Sequence, residues 1–169
     1  MSKRKKIIYL VGFMGSGKTT VGALLAEQLG RPFIDLDRVI EKNQGTTIPE
    51  IFESEGEPHF RKVEHAALQG IVRNELAVVA LGGGTIIQPE NRELIREAEG
   101  ITIWLETSLE VLRSRCAGIN HRPLFRDPNG FDRLFQERLP EYQKSEFRVA
   151  TDRLPARQVV NSILRLPIF

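Results

Sequence analysis

The sequence predicts a doubly wound α/β protein, a parallel sheet covered by helices on both faces. Three observations carry this reading. Short runs rich in Val, Ile and Phe recur at 7–11, 33–34, 77–81, 101–105 and 147–150. They are mostly apolar, without the alternation of a half-exposed strand, so they read as strands buried on both faces of a parallel sheet. Segments with helical periodicity lie between them, giving the β-α-β-α order of such folds.

Each element follows from local residues. The run 7–11 is a strand that breaks at Gly12, and Val21, Leu24, Leu25 and Leu29 form the stripe of a helix stopped by Gly30. The run 33–34 continues into Asp35-Leu36-Asp37 as the end of a second strand. Phe60, Val63, Ala67 and Ile71 form another helical stripe. The strand 77–81 ends in Gly82-Gly83-Gly84-Thr85, and Pro89 opens the next helix at the favoured first position. After the strand 101–105, Phe131, Leu134, Phe135 and Arg138 space out as i, i+3, i+4, i+7, ahead of the last strand at 147–150.

A chain of 169 residues predicts one domain, 1–169. With 41% hydrophobic and 27% charged residues it is an ordinary globular mixture, not a disordered one. The net charge is 24 − 22 = +2, which excludes a strong basic field and argues against a nucleic-acid partner. A single cysteine, Cys116, excludes an internal disulfide and fits a reducing compartment. The apolar runs fall far short of the roughly 20 residues that span a bilayer. The basic start, residues 2–6, precedes an apolar run too brief for a signal peptide. The expectation is a cytoplasmic protein without a membrane partner.

In open α/β sheets, ligands sit beyond the carboxyl ends of the strands. The first strand ends there in Gly12-Phe13-Met14-Gly15-Ser16-Gly17-Lys18-Thr19, the pattern G-x-x-x-x-G-K-T. Glycines let backbone N–H groups turn inward around a phosphate, and the following helix presents its N-terminus to the same anion. Lys18 supplies a mobile charge for the β- and γ-phosphates, and the Thr19 hydroxyl a ligand for Mg²⁺. Nucleotide binding follows, but the motif does not reveal the acceptor.

In an extended chain, Asp35 and Asp37 point to the same side, beside the phosphate loop. One carboxylate then orders the water shell of the metal, and the other takes a proton or hydrogen bond from an acceptor hydroxyl. The plainer reading of the same residues is an Asp N-cap for a helix starting near Arg38. Gly82, Gly83 and Gly84 clear side chains from the place where a ligand meets the sheet. Arg61 has Glu64 at i+3 to hold its guanidinium, and Phe52 and Phe60 flank it as pocket walls or core. Arg138 stands on an otherwise apolar stripe, where a guanidinium requires an anion or a long reach to water. A ligand carboxylate is the expected anion, because the arginine fork fits it with two bonds. The segment 113–127 holds Arg113, Arg115, Arg122 and Arg126 with Gly118 and Pro123, and reads as a mobile loop able to close on a triphosphate. Cys116 and His121 also fall there, and two such residues do not make a metal site.

The combination and order of these pieces closely resemble the shikimate kinase family. The matching pieces are 12–19, Asp35-Leu36-Asp37, Phe60-Arg61-Lys62-Val63-Glu64, Gly82-Gly83-Gly84, Arg122-Pro123-Leu124 and Arg138-Leu139-Pro140-Glu141-Tyr142. The resemblance implies a three-layer P-loop fold with a five-stranded parallel sheet, a substrate-binding helical segment at about 36–64 and a lid at about 113–128. It implies transfer of the γ-phosphoryl of MgATP to the 3-hydroxyl of shikimate, in a monomer. ATP is then bound by Gly15, Ser16, Gly17, Lys18, Thr19 and Thr20. Arg122 is the lid arginine on the phosphates, and Arg115, Arg153 and Pro155 form the adenine clasp. Mg²⁺ is held by Thr19 and, through water, by Asp35. Asp37, Arg61, Gly82, Gly83, Gly84 and Arg138 bind shikimate, with Lys18, Asp37 and Arg122 as the catalytic set. The competing readings are a gluconate-type kinase of the same shape and a nucleotide-binding regulator without an acceptor site.

Overall fold

The computed structural model describes residues 6–74, 76–117 and 127–169. Five parallel strands form one sheet in the order β2-β3-β1-β4-β5. They are β1 (Ile8–Val11), β2 (Phe33–Asp35), β3 (Val78–Ala80), β4 (Ile101–Glu106) and β5 (Phe147–Ala150). The strand placements read from the sequence differ from these by no more than one residue at either end, the carboxyl end of the second strand excepted. Register is set by pairs such as Ile8 with Val78 on one side and with Ile101 on the other.

Strand alternation splits the interior into two cores. Tyr9, Val11, Val79 and Trp104 face one side of the sheet, and Ile8, Leu10, Val78 and Ile103 face the other. The second core is closed by α1 (Lys18–Leu29) and α7 (Ala156–Leu164), through Val21, Leu25, Val159 and Ile163. The first is closed by α2 (Leu36–Gln44), α3 (Ile48–Ile71), α4 (Pro89–Glu97), α5 (Leu109–Cys116) and α6 (Pro128–Tyr142). This is the three-layer α/β arrangement expected.

Some local expectations are corrected. The second strand stops at Asp35, and α2 begins at Leu36. On β5 only Val149 is buried, because this edge strand is paired on one side alone. Residues 113–116 belong to α5, so the segment read as a loop begins later. Helix α3 starts well before Phe60, with Thr47 and Glu50 forming a capping box. It is kinked at Gly56, whose φ of 82° and ψ of 170° break the helical path just before Pro58.

Candidate active site

The carboxyl ends of β1, β2 and β3 bring three sequence segments together, joined by arginines from α3 and α6. The first is the phosphate loop, which joins β1 to α1. Gly15 and Gly17 hold φ of 82° and 95°, values that side chains disfavour, and this lets the loop fold tightly before the helix. Gly17 is the N-cap of α1 and brings no side chain, so no side-chain cap competes for the amides of the first turn. Lys18 arches back over the loop, its Nζ donating to the carbonyls of Gly12 at 2.7 Å and Phe13 at 3.0 Å. The Ser16 hydroxyl is buried and has no hydrogen-bond partner among the described residues. Thr20 is exposed on the first turn of α1.

The second segment carries the carboxylate pair, and it is not extended. Asp35 is the N-cap of α2, its Oδ1 accepting from the backbone N–H groups of Asp37 at 3.1 Å and Arg38 at 3.4 Å. Its Oδ2 accepts from Thr19 Oγ1 at 2.9 Å. Helix capping, set aside in the extended reading, sets the backbone here, and Asp37 reaches the site from the first turn of a helix rather than by strand alternation. Thr19 and Asp35 thus form an oxygen pair beside the phosphate loop. Hard oxygen donors of this kind suit Mg²⁺, which completes its shell with phosphates and water. Among the described residues there is no cluster of three or more His, Cys, Asp or Glu for a metal.

The third segment is the glycine triplet after β3, where the residues expected on the acceptor side meet. A Cβ placed on Gly82 would stand 3.0 Å from Asp37 Oδ1 and 3.4 Å from Glu64 Oε2. One on Gly83 would stand 3.1 Å from Arg138 Nη1 and 3.7 Å from the backbone N of Met14 in the phosphate loop. One on Gly84 would stand 2.5 Å from Arg61 Nη2. The missing side chains are therefore the space that α2, α3 and α6 fill with charged groups.

The two arginines are held differently. Arg61 Nη1 donates to Glu64 Oε1 at 2.8 Å, and its Nη2 to Glu57 Oε1 at 3.2 Å. The Glu64 side chain is only 1% exposed, so this is a buried anchor and not a solvated surface pair. Its second oxygen accepts from the Thr85 hydroxyl at 2.8 Å, which ties the anchor to the glycine segment. Phe52 is exposed while Phe60 is core, their rings 4.6 Å apart. Arg138 lies over the Phe13 ring at 5.8 Å and forms no ion pair with a described carboxylate. Phe13 itself meets Phe131 and Phe135 edge-on at 5.2 and 5.5 Å, so α6 is fastened to the phosphate loop.

On the nucleotide side, Arg115 Nη1 donates to the Gly15 carbonyl at 3.0 Å. Arg153 is exposed in the turn after β5, and Pro155 is the N-cap of α7. Among the described residues Arg153 makes no hydrogen bond or ion pair to the phosphate loop. Arg122 and His121 lie outside the described residues.

A family model described as shikimate kinase matches residues 14–166. The chain belongs to the shikimate kinase family. It is thus an ATP-dependent phosphotransferase with an alcohol group as acceptor. A shikimate kinase of Persephonella marina is 42% identical over 158 residues, covering 93% of this chain and 96% of the relative. The structure of shikimate kinase from Acinetobacter baumannii in complex with shikimate superposes with a TM-score of 0.87 at 40% identity, over 97% of this chain and 93% of that one. A gluconokinase from Sinorhizobium meliloti, at 22% identity and a TM-score of 0.64 over 97% of this chain and 91% of that one, shares the fold alone.

Several groups that build this shikimate kinase site were not foreseen in their present roles. Tyr142 is fully buried, and its hydroxyl donates to the Gly83 carbonyl at 2.6 Å. Burial pushes its pKa up to about 12, a rise that the neighbouring Arg138 opposes. Asn91 is also fully buried and donates to the Thr85 carbonyl at 3.0 Å. Tyr142 had a signal, its i+4 spacing from Arg138, whereas Asn91 had none.

Proposed function

We propose that this chain transfers the γ-phosphoryl group of MgATP to the 3-hydroxyl of shikimate. The products are shikimate 3-phosphate and ADP, in the route to chorismate and the aromatic amino acids. The observation that carries this reading is the meeting of Asp37, Arg61 and Arg138 at the glycine triplet, beside the phosphate loop. A carboxylated polyol needs that combination: one carboxylate for hydroxyls and two guanidinium groups for the acid.

Phosphoryl transfer depends on positioning and charge neutralisation more than on covalent help. Lys18 swings from the loop carbonyls to the β- and γ-phosphates, while Gly15, Ser16, Gly17, Thr19 and Thr20 surround them. Thr19 would hold Mg²⁺ directly, and Asp35 would hold it through water. Bound there, Mg²⁺ would supply charge neutralisation for the phosphates. Asp37 accepts the proton of the acceptor hydroxyl, or its hydrogen bond, at the moment of attack. Arg61 and Arg138 grip the shikimate carboxylate, and Gly82, Gly83 and Gly84 let the ring approach the backbone. Arg138 is suited to this because no described carboxylate neutralises it. Arg122 is assigned to the phosphates, and Arg115, Arg153 and Pro155 to the adenine. In this reading 36–64 forms the acceptor-binding segment and 113–128 the lid of one cytoplasmic, monomeric kinase domain, 1–169. No described helix is long and apolar enough to cross a membrane.

The test is ADP release from MgATP with shikimate, with gluconate and with neither. Shikimate-dependent release is expected. Release with gluconate alone overturns the acceptor assignment, and no release with either overturns the site.

A further inference from the structure

We propose that Tyr142 is a positioning residue for the acceptor, its hydroxyl coupling Arg138 to the glycine triplet. This inference deepens the reading of Arg138 as a carboxylate partner and rests on it.

A phenol has one hydrogen to give and lone pairs to receive. The Tyr142 hydrogen goes to the Gly83 carbonyl at 2.6 Å. The Arg138 guanidinium, one helical turn back on α6, crowds the same Gly83 position as this oxygen, and its charge acts on the phenol. A single oxygen therefore joins a helix to a loop from another part of the chain, at the point where both face the acceptor. Glycine at 83 makes the junction possible. A Cβ there would stand 3.1 Å from Arg138 Nη1 and 3.7 Å from the Tyr142 hydroxyl.

The ring that carries this oxygen has little freedom. It is fully buried and stacks on Trp104, with centroids 6.4 Å apart and planes 29° from parallel. The direction of the hydroxyl is thus set by core packing on β4. Without the hydroxyl, Arg138 would lose a polar neighbour at the glycine triplet, and the Gly83 carbonyl would lose its donor. A loose guanidinium surrenders rotamer freedom when it binds an anion, so binding weakens although the charge is still present. The phenol also stays protonated through the neutral range, so the donor to Gly83 is present at every working pH.

The test uses Tyr142→Phe, which keeps the ring and its stacking, beside Arg138→Lys and the double variant. Shikimate affinity is read by calorimetry, and KM for each substrate and kcat by ADP release. Tyr142→Phe is expected to weaken shikimate binding about five- to tenfold, the loss of the hydroxyl that fixes Gly83 beside the guanidinium. Its KM for ATP and its kcat stay within about twofold, since neither the phosphates nor the reacting atoms are touched. The penalty disappears with a decarboxylated shikimate analogue and is not added in the Arg138→Lys background. A general loosening of the fold would move both KM values and persist with the analogue, which overturns the proposal. If Arg138→Lys weakens shikimate binding and Tyr142→Phe does not, the coupling is wrong and the carboxylate reading stands. If Arg138→Lys has no effect, both fall.

Discussion

Gly84 and Arg61 stand so close that no side chain fits between them. The guanidinium occupies the place of the missing Cβ, with Nη2 2.5 Å and Nη1 2.8 Å from it. Because the crowded atoms are the far end of a flexible side chain, alanine at 84 would move Arg61 rather than unfold the loop. Gly84→Ala is expected to weaken shikimate binding about tenfold by misplacing one half of the carboxylate clamp. ATP affinity should be nearly unchanged, while the melting temperature falls because Arg61 shifts against the buried Glu64. Parallel loss of ATP affinity would place Arg61 elsewhere in the reaction.

Substitution of Asp37 is expected to separate chemistry from nucleotide binding. Its backbone N–H caps onto Asp35, and this bond survives substitution of the side chain. Asp37→Asn should therefore leave α2 and the Thr19–Asp35 pair in place. Turnover is expected to fall about 100-fold or more, the scale of a lost general base. The dissociation constant for ATP should stay within about twofold. A collapse of ATP binding would show that the residue serves the nucleotide.

The chain holds two tyrosines, Tyr9 and Tyr142, and both are fully buried. Burial raises both pKa values above the ordinary 10.0, that of Tyr142 to about 12 and that of Tyr9 higher still. Above pH 10 the native state then binds more protons than the unfolded chain, so stability falls as the pH rises from 10 towards 12. Below that window the contribution is complete. Tyrosinate absorbance should appear together with loss of far-ultraviolet dichroism, in one alkaline transition. A phenol that titrates near its ordinary value in the folded protein would contradict this packing.

Tyr9 is also a stability site. Its hydroxyl is buried on the central strand with no partner among the described residues. Tyr9→Phe removes a desolvated polar group and keeps the ring, so it should stabilise by about 1 kcal/mol. At this chain length that is a rise in melting temperature of about 2–4 °C. A lower melting temperature would mean that the hydroxyl is satisfied in solution.

The strands were legible because β1, β3 and β4 lie in the middle of the sheet, where both faces need apolar residues. The edge strand β5 breaks that pattern at Arg148, which is exposed. The phosphate loop and the glycine triplet were legible because each is a contiguous run with a backbone reason to be glycine. Arg61 and Arg138 were legible from helical spacing to Glu64 and to Phe131. The conformation at Asp35 was not, because strand continuation and helix capping ask for the same residue, and only the hydrogen bonds to Asp37 and Arg38 decide between them. The Tyr142–Gly83 contact joins residues 59 positions apart, a distance at which no local pattern speaks.

The stacked pair on β4 and α6 has a use outside binding and turnover. The chain carries one tryptophan, Trp104, and it is almost fully buried. Its indole lies against the ring whose hydroxyl reaches the acceptor side of the site. The protein therefore contains a single indole one ring away from the glycine triplet. Changes at the glycine triplet can be followed through its emission in the unmodified chain, without a label or a competing signal from a second indole.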